Sequence, residues 1–133
     1  MYNQCVEIQS NNCLFCDIDP ARVIAENKLA YATYDGYPVT ELHTLIIPKR
    51  HAQSYFDLTE HERNACYQLM EKSKNTIETK DCSVSGFNIG INNGESAGQT
   101  IFHCHIHLIP RRDGDTDNPR GGVRGVIPSK QSY

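Results

Sequence analysis

Strand-like alternation of apolar and polar positions recurs along this chain, interrupted once by helical spacing. Arg22 to Glu26 and Leu29 to Tyr34 read as two short strands joined at Asn27-Lys28 in a tight hairpin. Asp35-Gly36-Tyr37-Pro38 is turn chemistry, and a third strand follows over Glu41 to Ile47, closed by Pro48-Lys49-Arg50-His51. The period then changes. Thr59-Glu60-His61-Glu62 has the Ser/Thr-x-x-Glu form of a capping box. Cys66, Leu69, Met70, Ser73 and Ile77 recur behind it, which predicts one helix of about five turns with a mostly apolar face. Ser85 to Ile91 returns to alternation as a fourth strand, and Asn92 to Gln99 is a small polar loop with glycines. That loop leads into Phe102-His103-Cys104-His105-Ile106-His107-Leu108-Ile109-Pro110. On a strand His103, His105 and His107 share one face, with Phe102, Cys104, Ile106 and Leu108 on the buried one. On a helix the histidines would fan out by about 200° per step, so strand is the reading. Pro110, which cannot donate to a ladder, reads as its end.

Strands outnumber helices and come mostly as consecutive neighbours, which predicts an α+β fold: an antiparallel sheet of about five strands with one main helix packed on it. A chain of 133 residues is long enough for one domain with one core. Residues 1–12 are polar and irregular and read as a loosely held arm, while residues 113–133 form a tail rich in Gly, Arg and Pro that is expected to pack near the active site. No regular structure is expected from residue 111 onward. No run approaches the roughly 18 apolar residues of a spanning helix, and the N-terminus has no signal-peptide pattern. The expectation is a soluble, cytoplasmic protein. Its formal charge of −3 implies no general affinity for nucleic acid or for an anionic membrane. Basic character is local, at Lys49, Arg50, Arg111, Arg112, Arg120 and Arg124.

The three alternating histidines carry the chemistry, because imidazole is the side chain whose unperturbed pKa lies near neutrality. Two uses compete: all three hold one catalytic metal, or the central one is a nucleophile that its neighbours tune and anchor. Same-face residues on a strand stand about 6.5–7 Å apart. Three nitrogens so spaced do not easily converge at about 2 Å from one ion, which favours split roles. Of the six cysteines, Cys66 and Cys104 read as small buried hydrophobes, whereas Cys13 and Cys16 form Cys-x-x-Cys. Without a secretory signal a disulfide framework is the weaker reading. A metal here needs two further ligands from afar; the alternatives are a redox pair or two unliganded thiols.

Residues 13–112 resemble the histidine-triad (HIT) superfamily of nucleotide hydrolases and transferases. The resemblance rests on Cys13-Leu14-Phe15-Cys16, on Leu42-His43-Thr44-Leu45-Ile46-Ile47-Pro48-Lys49-Arg50-His51, and on the run from Asn92 to Arg111. The last contains the family's His-φ-His-φ-His-φ-φ signature. The chain looks most like bacterial-type HIT hydrolases of the diadenosine polyphosphate hydrolase kind. The resemblance implies that His105 attacks the α-phosphate of a nucleoside 5′-phosphate derivative and forms a nucleotidyl-histidine that water hydrolyses. It implies phosphate or leaving-group contacts for His107 and Gln99, and further donors from the loop of Asn92 to Thr100. His43 would support the triad's hydrogen bonding, and Asp35 would hold ribose hydroxyls unless it is a plain turn aspartate. Cys13, Cys16, His51 and His103 would hold a structural zinc, and no organic cofactor is implied. Two copies would pair into one extended sheet. The leaving group, from a dinucleoside polyphosphate or a phosphoramidate, stays open. A transferase or phosphorylase, a three-histidine metal hydrolase and a non-catalytic zinc-stabilised nucleotide-binding domain are the rivals. Phe15, Ile18 and Leu45 read as plain core or as base-pocket walls, and the tail arginines as candidates for distal phosphates. One departure is visible: Leu42 stands where many relatives have Gly before His43.

Overall fold

The computed structural model describes residues 12–133, so the reading of residues 1–11 as a loose arm lies outside the described residues. Five strands form one sheet: β1 (Val23–Glu26), β2 (Ala30–Tyr34), β3 (Thr44–Pro48), β4 (Val84–Ile91) and β5 (Ile106–Arg112). Their order is β1-β2-β3-β5-β4, with every neighbouring pair antiparallel. One helix, α1 (Glu60–Lys80), covers one face, which is the α+β architecture expected.

Local chemistry fixes the early elements. Asn27 turns the β1–β2 hairpin by accepting the backbone N–H groups of Leu29 and Ala30, and its amide donates to the Ala65 carbonyl of α1 at 2.8 Å. At the start of α1 the Thr59 hydroxyl accepts the Glu62 N–H, while the Glu62 carboxylate accepts the Thr59 N–H. This reciprocal cap satisfies two donors the first turn leaves unpaired, worth about 1 kcal/mol. Arg50 grips the same carboxylate through Nε and Nη2, both at 2.8 Å, and so ties the end of β3 to the helix. Cys66, Leu69 and Ile106 pack with Ala30, Ala32 and Ile46 beneath α1. The helix-free face buries a second cluster of Cys13, Phe15, Tyr31, Leu45 and Ile47.

Three strand boundaries depart from the expectation by more than one residue. β3 begins at Thr44 rather than Glu41, because Thr40 to His43 is a turn in which the His43 N–H donates to the Thr40 carbonyl. Leu42 takes φ of 71° there, the one non-glycine residue with positive φ among the described residues. β5 begins at Ile106, so His103 and His105 precede the strand, and it runs on through Pro110 to Arg112. The Ile46↔Ile106 and Ile91↔Ile106 pairs end both ladders, and the Cys104 N–H instead donates to Ala52 of a loop. Pro110 is tolerated because β3 has already ended beside it. Its carbonyl faces that side and accepts from the Thr40 hydroxyl at 2.8 Å, so a strand N–H would find no ladder partner there. The tail is not irregular either: it contains 3-10 turns at Gly122–Val126 and Pro128–Lys130.

Candidate active site

His107 lies on the helix-free face of β5, in register with Leu45. Around it, ring-nitrogen partners fix where each proton sits. His105 Nδ1–H donates to the His103 carbonyl at 2.8 Å, which leaves Nε2 of His105 as a free lone pair. The Phe15 ring stands edge-on to the His105 ring, centroids 5.0 Å apart, and fixes its plane. The Val39 N–H donates to Nδ1 of His43 at 3.1 Å, so the His43 proton is on Nε2. That Nε2–H points at Nδ1 of His107, 3.0 Å away, and forces the His107 proton onto its own Nε2. This last N–H is buried and has no partner among the described residues. An unmatched buried donor costs about 1–3 kcal/mol and marks a place where a ligand acceptor belongs.

Both of these imidazoles are held neutral. Burial, with help from His105 and His43, pushes His107 down to about 4, against a smaller opposing pull from Asp35. Burial likewise lowers His43, again opposed by Asp35. The Asp35 carboxylate sits 3.5 Å from Nε2 of His43 and 3.9 Å from Nδ1 of His107, so it backs the relay. A ring nitrogen with a free lone pair on His105 therefore stands beside the neutral N–H donor of His107, with ring centroids 5.3 Å apart.

The second constellation joins Cys13, Cys16, His51 and His103 in one cluster. His103 Nε2–H donates to the Pro48 carbonyl at 2.7 Å, so its Nδ1 presents a lone pair. The two facing Nδ1 atoms of His51 and His103 lie 3.2 Å apart. Sulfur–nitrogen separations are 3.3 Å for Cys13–His103, 3.4 Å for Cys16–His51 and 3.5 Å for Cys16–His103. A tetrahedron with zinc-like bonds of about 2.0 and 2.3 Å has edges of about 3.3 Å (N···N) and 3.5 Å (S···N). The four atoms thus fit a four-coordinate metal, and the Pro48 carbonyl supplies the outer hydrogen bond such a ligand histidine uses. Burial, then the neighbouring Cys13, pushes the Cys16 thiol up to about 12, and burial lowers His103 to about 4. The cluster of Asp35, His43 and His107 is different. There the Val39 N–H already occupies Nδ1 of His43, and its Nε2 carries a proton, so these atoms meet as hydrogen-bond partners.

A model of the family described as HIT domain matches residues 18–114. The chain belongs to the HIT domain family. An uncharacterized 16.1 kDa HIT-like protein of Mycoplasma pneumoniae is 37% identical over 106 residues, 77% of this chain and 73% of that protein. A bifunctional bis(5'-adenosyl)-triphosphatase/adenylylsulfatase of Arabidopsis thaliana is 35% identical over 98 residues, 74% of this chain and 54% of that protein. Among solved structures, a Zn-bound histidine triad family protein from Mycobacterium smegmatis superposes with a TM-score of 0.74 at 34% identity. That match covers 82% of this chain and 81% of the other.

In this HIT domain a cleft of about 710 Å³ runs past Asp35, His43, Asn92 and His107. His105 is not among its lining residues. Thr100 is exposed and outside the lining. Gln99 is buried, and its amide is fully committed to backbone. Its oxygen accepts the Gly94 N–H at 2.8 Å, and its nitrogen donates to the Gln53 and Ile101 carbonyls. In this arrangement Gln99 shapes the loop from Asn92 to Thr100 rather than facing the cleft. Asn93, which the sequence reading passed over, does related work by accepting the Tyr55 N–H and the Ser54 hydroxyl. Asn88, Val123 and Val126 also line the cleft, and nothing in the sequence pattern marks them. Arg112 is spent on Asp81 and the Glu41 carbonyl, and Arg120 and Arg124 stack on Tyr133. None of these three lines the cleft, which leaves the expected distal-phosphate contacts without a candidate among them.

Proposed function

We propose that this chain is a nucleotide hydrolase that cleaves a nucleoside 5′-phosphate derivative at the α-phosphate through nucleotidyl-His105. The observation that carries the reading is the free Nε2 lone pair of His105 beside the unpartnered Nε2–H of His107. In the first step the His105 Nε2 lone pair forms a bond to the α-phosphorus as the bond to the leaving group breaks. His105 keeps its Nδ1 proton, and the His103 carbonyl stabilises the imidazolium that results. His107 donates a hydrogen bond to a phosphoryl or leaving-group oxygen without giving up its proton, which suits a transfer governed by aimed donors. Asn92 adds a further donor from the cleft wall. In the second step water attacks phosphorus, its proton passes to solvent, and neutral His105 leaves. Phosphate in place of water would make the reaction phosphorolytic with the same first step. Asp35 is the acceptor proposed for the ribose hydroxyls.

The four-atom cluster of Cys13, Cys16, His51 and His103 is proposed as a structural zinc site, as its edge lengths support. When bound, the metal would supply a closed tetrahedral tether between the N-terminal turn and the segment bearing His105. β4 is an edge strand of the sheet, and the proposed homodimer pairs it with its counterpart. The relatives named above, a bis(5'-adenosyl)-triphosphatase/adenylylsulfatase among them, support the reaction class.

Hydrolysis in ¹⁸O-labelled water tests the reading. Label in the nucleoside monophosphate is the expected result; label only in the leaving group would place attack elsewhere and overturn it.

A further inference from the structure

The proton that His107 offers to the cleft is fixed by the turn between β2 and β3. His43 and His107 share one short contact, Nε2 to Nδ1 at 3.0 Å, and two arrangements of their protons satisfy it. In the first, both protons are on Nε2: His43 donates to His107, and His107 presents its own N–H to the cleft. In the second, both are on Nδ1: His107 donates back to His43 and turns a bare lone pair toward the ligand. A phosphoryl oxygen is met by the first and repelled by the second. Asp35 discriminates little between them. Its carboxylate stands 3.5 Å from Nε2 of His43 and 3.9 Å from Nδ1 of His107, near the shared proton in either case. The Val39 N–H decides. It points at Nδ1 of His43 at 3.1 Å, so a proton on that nitrogen would set two donors against each other.

The Val39 side chain gives its backbone little anchorage. It is 67% exposed, and the turn it opens is strained by Leu42 at φ of 71°. Two bonds fasten this turn to β5, the strand that carries His107. The Thr40 hydroxyl donates to the Pro110 carbonyl at 2.8 Å, and Nη2 of Arg112 donates to the Glu41 carbonyl at 3.0 Å. Arg112 is also engaged with Asp81, whereas the Thr40 bond comes from the residue directly after Val39. Its acceptor is held by the sheet, because Pro110 pairs with Phe87 of β4. Both ends of the relay are thereby referred to one strand.

We propose that Thr40 is a positioning residue: by fastening the turn to Pro110 it keeps the Val39 N–H on His43, and so keeps the His107 proton on Nε2, facing the ligand. What that donor serves rests on the function proposed above; the position of the proton does not. Breaking the Thr40–Pro110 bond admits the second arrangement. Each ring then gives up its Nε2 proton and takes one on Nδ1 by exchange with solvent, with no change in net charge.

The test compares wild type, Thr40→Ser, Thr40→Val and Val39→Pro by ¹⁵N spectra of the histidine rings at neutral pH. Hydrolysis of diadenosine triphosphate and of adenosine 5′-phosphoramidate is followed in parallel. Thr40→Ser keeps the hydroxyl, Thr40→Val keeps the shape without it, and Val39→Pro removes the N–H itself. Thr40 is half-buried and Val39 exposed on a surface turn, so the variants keep their fold. Wild type and Thr40→Ser are expected to hold Nε2–H on both rings. In Thr40→Val and Val39→Pro the His107 Nε2 signal is expected to move toward the bare-nitrogen range as Nδ1 moves the other way. There kcat should fall about tenfold, part of what deleting an aimed donor costs. Ring signals unmoved in Thr40→Val or in Val39→Pro overturn the proposal even if kcat falls, since a merely structural loss lowers kcat without moving a proton between ring nitrogens. Equal shifts in Thr40→Ser and Thr40→Val also overturn it. Rings that shift as expected, in a protein whose wild type hydrolyses neither compound, leave the positioning role standing and remove the proposed reaction.

Discussion

The His103 carbonyl accepts the Nδ1–H of His105 at 2.8 Å, while the side chain of His103 faces Cys13 and Cys16. One residue therefore serves two constellations. Its imidazole belongs to the metal-type cluster, and its backbone sets the tautomer of His105, the proposed nucleophile.

Removing a ligand should act first on stability. Cys16→Ser is expected to abolish bound zinc and to destabilise the fold by about 3 kcal/mol, a Tm loss on the order of 10 °C. Metal analysis alongside calorimetry checks this. A wild-type protein that binds no metal, with a variant of unchanged Tm, would remove the structural-zinc reading. Chelation supplies the companion test: activity that vanishes at once, before stability changes, would favour a three-histidine metal hydrolase.

Acid should weaken the fold through the buried relay. His107 titrates at about 4 when folded, against about 6.5 for an unfolded histidine, so between these values only the unfolded chain takes up the proton. Stability that is intact above about pH 6.5 is then lost as pH falls toward 4. Urea midpoints measured across that window should decline in wild type and decline less in His107→Gln. Parallel curves for the two proteins would contradict the assignment.

Leu42 stores backbone strain next to His43. At ordinary positions alanine is more stable than glycine by about 0.5–1 kcal/mol. At φ of 71° the order should invert, with Leu42→Gly more stable than Leu42→Ala by about 1 kcal/mol. Both variants lose the same apolar contacts, so denaturation of the pair isolates the strain. Leucine at a position where many relatives have glycine is thus a cost to the backbone, set by its positive φ.

Gln99 should behave as a loop fastener. Gln99→Ala forfeits bonds to Gly94, Gln53 and Ile101 and is expected to cost about 2 kcal/mol. Gln99→Glu should cost more, because a carboxylate would face two carbonyl oxygens. Thermal melts of both variants decide it, and an unaffected Gln99→Glu would show that the side chain is free to leave its backbone partners.

What was legible in the sequence follows how local its cause is. The capping box at Thr59 and Glu62 and the Asn27 hairpin are completed within a few residues, so pattern reading placed them. The start of β5 was not legible, because it depends on where β3 and β4 stop pairing, at Ile46 and Ile91. Pro110 misled for the same reason: whether a missing N–H matters depends on a neighbouring strand that has already ended. The assembly of Cys13 and Cys16 with His51 and His103 came from family resemblance, and the structure brings those side chains together. That the tail lies near the site was an expectation, but its local fold was illegible, since Gly121 acquires its meaning only against Gln131.

The most direct test of the central claim is intact-protein mass spectrometry after rapid, acid-free quenching with an adenylyl donor. Wild type is expected to gain the mass of one adenylyl group, and His105→Ala none. Absence of any adduct in wild type, with steady hydrolysis persisting in His105→Ala, would contradict covalent catalysis by His105.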